Sequence, residues 1–212
     1  ERAAPDLLLD LSKPLTLPFE TASPTAGAVR LVAGSVSAIN ANNVLEHVAD
    51  LPTLMGNCLA LLAEGGEFHI EVPYEHAPTA WQDPTHVRAM NENSWLYYTE
   101  WFWYLGWFEH RFVITTAAWL DGQLRDCAQD GAEFMRVTLK KVATTAHERT
   151  VARAMRPDFG GLPDDLAADE NGRQTPVVAA APGTMLVLDE PAAGSACAAN
   201  GTAIAPASLP CA

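Results

Sequence analysis

Basic residues are scarce in this sequence. Its 212 residues contain 13 Lys and Arg against 26 Asp and Glu, which gives a formal net charge of −13 at pH 7. The basic clusters lie near Arg136 to Lys141 and Arg149 to Arg156. Because nucleic-acid binding needs a basic face that neutralises phosphates, this composition argues against a nucleic-acid partner.

A membrane-spanning run and a signal peptide are also missing from the pattern. No apolar run reaches the roughly 20 residues that cross a bilayer. The longest candidate, Trp95 to Phe112, is interrupted by Glu100, Gly106 and Glu109. The first residues show no basic stretch followed by an apolar one. We therefore predict no membrane partner and a cytoplasmic location.

The four cysteines form no recognisable framework. Cys58, Cys127, Cys197 and Cys211 show no C-x-x-C spacing. Cys58 falls on the apolar face of a predicted helix and is interpreted as a small buried hydrophobe. The sequence leaves open whether Cys197 and Cys211 pair. The pattern is typical of a reducing compartment.

What the sequence does contain is a strand, helix and strand pattern over residues 40–74. Asp50 stands at an N-cap position, and Gly65-Gly66 is predicted to end the helix. Apolar residues recur at helical spacing between them: Leu51, Leu54, Met55, Cys58, Leu59 and Leu62. The alternating run Phe68 to Val72 predicts a strand that ends at Pro73. Together they indicate half of a parallel α/β unit.

The residues before this unit are predicted to supply further strands and loops. The run Leu7 to Leu9 predicts a buried strand with Asp10 at its carboxyl end. Residues 20–35 are predicted to be a loop with a short strand at Val29 to Val32. Val36 to Ile39 is predicted to be the next buried strand.

The residues after this unit are predicted to complete one domain. Residues 75–93 are predicted to be a loop, followed by an aromatic-rich helix with Ser94 as N-cap and Gly106 at its end. We interpret its aromatic side chains as the cover of one sheet face; the wall of a substrate pocket is the alternative. Phe112 to Leu120 and Phe134 to Val142 are predicted to form an antiparallel pair at the sheet edge.

The candidate chemistry lies beyond the predicted strands. In an open parallel sheet, ligands bind at the carboxyl ends of the strands. Asn43, Glu46 and His47 lie within one helical turn there, and His86 comes from a later loop. A carboxylate, an amide oxygen and imidazoles can hold a divalent ion or take a substrate proton. Local hydrogen bonds that orient the loop are the alternative role.

Several of these segments stand in the order of a known family. Val44-Leu45-Glu46-His47-Val48, then Leu61-Leu62-x-x-Gly65-Gly66, then Ile70-x-Val72-Pro73 resemble the second half of the class I S-adenosylmethionine-dependent methyltransferases of the small-molecule type. The lead-in Pro5 to Leu11 is similar to the family's third strand, and Asp83-Pro84-Thr85-His86 to a segment that several members carry after the fifth strand. The resemblance covers about residues 5–142.

The resemblance implies a fold, a cofactor and site residues. The fold is α/β, with a Rossmann-like, mostly parallel sheet and a terminal antiparallel strand, and the cofactor is S-adenosylmethionine. The implied cofactor-binding residues are Asp10 and Leu11 at the adenine, with Asn42 and Asn43 at the methionine end. The candidates that take or orient the acceptor's proton are His86, His47 and Glu46.

A metal site is not part of this prediction. Some related methyltransferases bind a divalent ion through an E-x-x-E-H segment and a later His, but here Asn43 stands in place of the first Glu. The set that could hold an ion is Glu46, His47 and His86.

The family's glycine-rich loop is absent, since no G-x-G-x-G occurs in the sequence. It would precede Asp10, so we expect an N-terminally truncated fold, either a fragment of a longer enzyme or a relative that does not bind the cofactor. Lost strands would leave an open sheet edge, which a protein partner or an oligomer would cover.

The predicted organisation is a methyltransferase-like α/β domain over residues 1–142, a helix over 143–156, and an Ala/Gly/Pro-rich, disordered tail over 157–212. The predicted function is methyl transfer from S-adenosylmethionine to an unidentified small-molecule acceptor. The alternatives are a non-catalytic module for protein–protein interaction and a metal-dependent hydrolase; whether this chain is itself an active enzyme stays open.

Overall fold

The structure, a computed structural model, describes residues 6–155 and the backbone of one strand at residues 185–188. The strands in this part of the chain are β1 (Phe19–Ser23), β2 (Gly27–Leu31), β3 (Val36–Asn42), β4 (Leu62–Pro73), β5 (His110–Leu120), β6 (Asp126–Cys127), β7 (Phe134–Ala143) and β8 (Met185–Leu188). The helices are α1 (Leu51–Leu61), α2 (Thr79–Gln82) and α3 (Ala146–Met155), with 3₁₀ turns at Leu45–His47, Glu92–Tyr98, Phe102–Leu105 and Gln129–Gly131. The fold is mixed α/β.

The main sheet has six strands in the order β6-β5-β7-β4-β3-β8. β3 runs parallel to β4 and to β8, whereas the β4–β7, β5–β7 and β5–β6 pairings are antiparallel. The predicted antiparallel pair, β5 with β7, is confirmed. The sheet is mixed within the described residues, so the prediction of a mostly parallel sheet is wrong there.

The β3–α1–β4 unit forms where the sequence pattern predicts it. The carboxylate of Asp50 accepts a hydrogen bond from the backbone N–H of Thr53 at 3.1 Å and so caps α1. The apolar face of α1 and the alternating residues of β4 are buried against one another, and Phe68 is fully buried. Burial of these two faces explains why the pattern was readable in the sequence.

Gly65 and Gly66 do not end the helix, which corrects the prediction. α1 ends at Leu61, and the chain becomes extended at once, so both glycines lie inside β4. The β3–β4 register shifts at this point, and Gly65 has a φ of +77°. A Cβ on Gly66 would lie 3.0 Å from the carbonyl oxygen of Ser37, so close backbone approach requires glycine here.

The N-terminal region differs most from the prediction. The run Leu7 to Leu9 is not a strand, and Leu8 is 83% exposed. The Asp10 carboxylate accepts hydrogen bonds from the backbone and hydroxyl of Ser12, at 3.0 and 2.6 Å, so the chain turns instead of pairing. Residues 20–35 are mostly the β1–β2 hairpin, which includes the predicted short strand.

The aromatic-rich segment consists of two 3₁₀ turns. Its N-cap is Asn91, not Ser94: the Asn91 side chain accepts from the Ser94 backbone N–H, and the Ser94 hydroxyl accepts from the Asn91 backbone N–H. Gly106, with a φ of 72°, ends the segment as predicted. Three aromatic side chains are buried and three are 40 to 48% exposed: Trp95, Tyr98 and Phe102, then Tyr97, Trp101 and Tyr104.

The predicted helix at 143–156 contains α3. The predicted disordered tail, 157–212, lies outside the described residues except for β8, a strand that the prediction did not include. Among the helices of the described residues, none is both long enough and apolar enough to span a membrane.

Candidate functional site

The candidate site lies at the carboxyl ends of β3 and β4. Asn43, directly after β3, has a φ of 51°, and its backbone N–H donates to the carbonyl of Glu71 at 2.9 Å. Asparagine tolerates this left-handed conformation better than most residues. The chain then turns through Leu45–His47, which places Glu46 and His47 beside the strand ends. Glu46 is 1% exposed and His47 is half-buried.

The loop over residues 83–88 is fastened onto this turn. The backbone N–H of Val87 donates to the Glu46 carbonyl at 2.9 Å. Arg88 donates from one Nη2 atom to the carbonyls of Val48 and Ala49, both at 2.7 Å. These contacts join residues about 40 positions apart in sequence. Tertiary hydrogen bonds therefore hold His86 beside the Leu45–His47 turn.

Three predicted site residues meet as a result. One ligand atom from each of Glu46, His47 and His86 lies within 4.8 Å of the other two. The rings of His47 and His86 are 4.7 Å apart between centroids at an interplanar angle of 72°. The predicted candidates for proton transfer, His86, His47 and Glu46, therefore form one cluster, which we call the Glu46 cluster.

Hydrogen bonds set the tautomers of both histidines. Nδ1 of His86 lies 3.0 Å from the carbonyl oxygen of Ala80, and a carbonyl only accepts, so this nitrogen carries the proton. Thr85 Oγ1 gives its single proton to the Asp83 carboxylate at 2.7 Å, so it accepts from Nδ1 of His47 at 2.9 Å. Each neutral ring therefore has its lone pair on Nε2.

The Asp83 carboxylate is the negative end of this chain of hydrogen bonds. The hydroxyl and the backbone N–H of Thr85 hold the pKa of Asp83 below its usual value, and the nearby rings of His86 and His47 add a smaller effect. Asp83 is therefore ionised at neutral pH. Its carboxylate accepts the Thr85 hydroxyl proton, which leaves the hydroxyl oxygen free to accept a hydrogen bond from Nδ1 of His47.

The predicted cofactor-binding residues fall in two places. Asn42 is exposed at the end of β3, and Asn43 follows it with a buried Oδ1 that has no hydrogen-bond partner among the described residues. Asp10 and Leu11 lie instead on the turn against α1, where Asn57 donates to the carbonyl of Leu11 at 2.8 Å. Asp10 does not follow a strand, so that part of the prediction is wrong. The cofactor-binding roles of all four residues stay predictions.

Thr85 and Arg88 were not predicted as parts of the site. Thr85 connects Asp83 to His47, and Arg88 holds the turn after His47. A readable signal for Thr85 was Asp two residues before it, because an aspartate often accepts from the backbone N–H two residues on; here that bond is 2.7 Å. No sequence pattern indicates that Arg88 reaches Val48.

Comparison with known proteins gives only distant structural likenesses. No known family model and no curated protein matches the sequence. Similar solved structures include a SAM-dependent methyltransferase from Archaeoglobus fulgidus, with 12% identity, a TM-score of 0.35, and coverage of 51% of this chain and 60% of that one. The YcgJ protein of Bacillus subtilis shows 12% identity and a TM-score of 0.37, with coverage of 53% of this chain and 66% of that one.

A third similar structure is CrArsM, an arsenic(III) S-adenosylmethionine methyltransferase from Chlamydomonas reinhardtii. Its identity is 20%, its TM-score is 0.33, and the match covers 55% of this chain and 40% of that one. This chain thus spans 40 to 66% of the length of the three proteins. At these TM-scores the likenesses carry no argument about function.

Proposed function

We propose that this chain takes part in methyl transfer from S-adenosylmethionine to a small-molecule acceptor, with the Glu46 cluster at the acceptor. The observation that carries the proposal is the position of this cluster. It lies at the edge where the parallel strands β4 and β3 end, which is where ligands bind in open α/β sheets. The sequence resemblance to class I methyltransferases supports the same cofactor.

The cluster has the chemistry that an acceptor needs. When bound, S-adenosylmethionine supplies an activated methyl group. An acceptor O–H, N–H or S–H group that forms a bond to this methyl must lose its proton, and the Nε2 lone pair of His47 or His86 can take it. The buried Glu46 carboxylate stabilises the imidazolium that results. In-line placement of the two reactants supplies the rest of the rate.

The proposed cofactor contacts are Asn42 and Asn43 at the methionine end and Asp10 and Leu11 at the adenine. Asn43 fits its role because its buried Oδ1 can accept from an amino group. The fit is weaker for Leu11, which is 5% exposed and packs in the hydrophobic core.

Calorimetric titration of the whole encoded protein with S-adenosylmethionine and S-adenosylhomocysteine tests the cofactor. We expect Asn43→Gly to weaken binding about tenfold, since a buried hydrogen bond contributes roughly 1 to 1.5 kcal/mol. Glycine keeps the left-handed backbone, so strain is not the cause of any loss. Asn93→Ala, at an exposed amide in the aromatic-rich segment, is the control. No heat with either ligand would refute the methyl-transfer proposal.

A second candidate function is a non-catalytic module for protein–protein interaction. The observation that favours it is the exposed ring cluster, in which Tyr97 contacts Trp101 and Tyr104 edge to face, each at 5.3 Å between centroids. Tyrosine and tryptophan are enriched at the centres of interfaces. A concentration-independent monomer in sedimentation equilibrium would count against self-association through this surface, and substitution of Trp101 by Ala is the matched variant.

We also propose a cytoplasmic location, on the chemistry of the cysteines. Cys58 and Cys127 are free thiols in the described residues, and burial raises the pKa of the Cys58 thiol. Free thiols persist in reducing compartments. Cell fractionation tests the location.

A further inference from the structure

We propose that a cavity at the amino end of β4 binds a small monocarboxylic acid with a flat apolar body, and that Lys141 holds its carboxylate. The cavity is open to solvent, has a volume of about 260 Å³ and lies between α1, the start of β5 and the end of β7. Pockets for drug-sized ligands have about 300 to 1,000 Å³, so the ligand here is small. The site does not depend on the proposed methyl transfer.

This cavity is separate from the Glu46 cluster. Nζ of Lys141 donates to the carbonyl of Leu62, the first residue of β4, at 2.7 Å. The Glu46 cluster lies at the other end of the same strand. β4 has 12 residues, and each adds about 3.3 Å, so the two ends are roughly 30 Å apart. A ligand in the cavity is therefore out of reach of the cluster.

Lys141 supplies a buried positive charge with unused donors. The residue is 6% exposed, and Leu62 takes one of the three N–H donors of its ammonium. Burial lowers the pKa of Lys141, and the charge of the exposed Glu64 opposes this with a smaller effect. Among the described residues Lys141 forms no ion pair within 4.0 Å. The remaining donors favour an anionic group, since hydrogen bonds between charged partners are the strong ones.

The C-terminus of α1 offsets only part of this charge. Leu62 is the C-cap of α1, so its carbonyl belongs to the negative end of the helix. That end is equivalent to about half an elementary charge. With one full charge on the ammonium, a net positive charge of about one half remains for a ligand.

His110 adds a neutral hydrogen-bonding group beside Lys141. Phe112 pairs with Lys141 across β5 and β7, so His110, two residues earlier, is a diagonal neighbour of Lys141 on the same face. Burial, then the charge of Lys141, lowers the pKa of His110 below its usual 6.5, so the ring is neutral at pH 7. Glu109 also lines the cavity, but it is exposed and its charge is screened.

The rest of the wall is apolar and is packed from behind. The indole of Trp107 lies against α1, where a Cβ on Gly56 would be 3.8 Å from its Nε1. On other sides the ring contacts Phe112 at 6.0 Å and Tyr98 at 5.8 Å between centroids. Phe108 lines the cavity as well. Fixed aromatic rings pack well against another ring, so a flat apolar body fits this wall.

The first experiment titrates the whole ¹⁵N-labelled protein with benzoate and follows the indole N–H signal of Trp107, which Trp107→Phe identifies by its loss. We expect a saturable shift at millimolar benzoate. Benzamide carries the same ring without the charge and should bind about 10- to 100-fold more weakly, the usual effect of losing a hydrogen bond to a charged group. Acetate, which lacks the ring, should also bind more weakly than benzoate.

The second experiment removes the charge. Lys141→Met keeps the apolar stem but not the ammonium, so it should weaken benzoate binding by about 10- to 100-fold. Lys140→Met is the matched control, because successive side chains of a strand point to opposite faces of the sheet. Circular dichroism and thermal unfolding verify that both variants fold.

The third experiment fills the cavity and leaves Lys141 in place. Ala60 lines the cavity from an exposed position on α1, so Ala60→Trp occupies the space without disturbing the core. It should abolish the benzoate-dependent shift. Ala60→Ser, which adds little volume, should bind benzoate as the native protein does.

Four results would overturn the site or its ligand class. The first is the lack of a saturable shift at millimolar benzoate, and the second is equal binding of benzoate and benzamide. The third is benzoate binding that Lys141→Met and Ala60→Trp leave unchanged. The fourth is tighter binding of hexanoate than of benzoate, which would exclude a flat ring as the preferred body.

Discussion

Polar side chains have different roles at the carboxyl ends of β3 and β4, which we call the site edge, and in the antiparallel part of the sheet. In the antiparallel wing, formed by β5, β6, β7 and α3, charged groups neutralise one another: Arg111 with Glu148, Arg136 with Glu71 of β4, and Arg125 with Asp121. At the site edge, Asp83, Thr85 and Arg88 are used to orient other groups. The charges of the wing are paired with one another or with Glu71 of the neighbouring β4, whereas the residues at the site edge bring Glu46, His47 and His86 together.

The difference follows from how the strands are connected. Parallel strands such as β3 and β4 end at the same side of the sheet, so the segments that follow them meet. Antiparallel neighbours such as β4 and β7 lie side by side along their length, so opposite charges such as Glu71 and Arg136 pair directly across the strands. The wing contributes stability through the shared core, where the rings of Phe68 and Phe112 are 6.5 Å apart between centroids.

The largest expected effect comes from breaking that shared core. Phe68→Ala should destabilise the protein by about 3 to 5 kcal/mol, because it removes a fully buried ring and leaves a cavity. Urea unfolding measures the loss. Ile114→Ala in β5, where the side chain is 45% exposed, is the control and should cost far less. Equal losses in both variants would contradict a core shared between the two regions.

The next effect sharpens the description of the site edge. Arg88→Ala should cost about 1.5 to 3 kcal/mol, since a charged donor to two carbonyls is lost. It should also release the loop over residues 83–88, which hydrogen exchange at the Val87 amide would report as lower protection. Arg88→Lys should recover part of the stability. Unchanged exchange would show that Arg88 does not hold the loop.

A smaller, pH-dependent effect belongs to the wing. The Thr145 backbone N–H, followed by Arg111, lowers the pKa of Glu148 from its usual 4.5. A lowered folded-state pKa means that the stabilisation is full above pH 4.5 and is lost as pH falls through the folded pKa. Glu148→Gln should therefore cost about 1 kcal/mol at pH 7. The difference in free energy of unfolding between the variant and the native protein should disappear in acid. A difference that stays constant with pH would contradict the ion pair.

The smallest expected effect comes from an exposed ion pair outside both regions, and it serves as a reference for the other losses of stability. Arg30 and Glu20 form a 3.3 Å ion pair on the β1–β2 hairpin, with side chains 58% and 71% exposed. Arg30→Ala should change the free energy of unfolding by less than about 0.5 kcal/mol, because water and salt screen exposed pairs. If Arg30→Ala destabilises the protein as much as Glu148→Gln does, then solvent exposure does not explain the difference in strength between the two ion pairs.

Local patterns predicted the elements that are locally determined. Asp50 as N-cap, the apolar stripe of α1, the strand that ends at Pro73 and the end at Gly106 all depend on residues a few positions apart. The predictions failed where a distant strand decides the outcome. Gly66 is needed because Ser37 of β3 approaches it, and Leu7 to Leu9 resembles a strand but has no strand partner in the described residues.

The candidate site divides in the same way. Glu46 and His47 were readable as neighbours on one turn, and His86 as an imidazole in a polar loop. Their approach to within 4.8 Å depends on Val87 and Arg88 binding the turn, which no spacing encodes. The Thr85 connection depends likewise on contact across 38 positions of sequence.

The sequence by itself determined the β3–α1–β4 unit, because periodic burial and helix capping act over a few residues. Only the tertiary structure decided the mixed sheet order, the place of Asp10 against α1, and the tautomers of His47 and His86. These depend on hydrogen bonds between segments that meet only once the chain has folded, and such partners leave no periodic trace in the sequence.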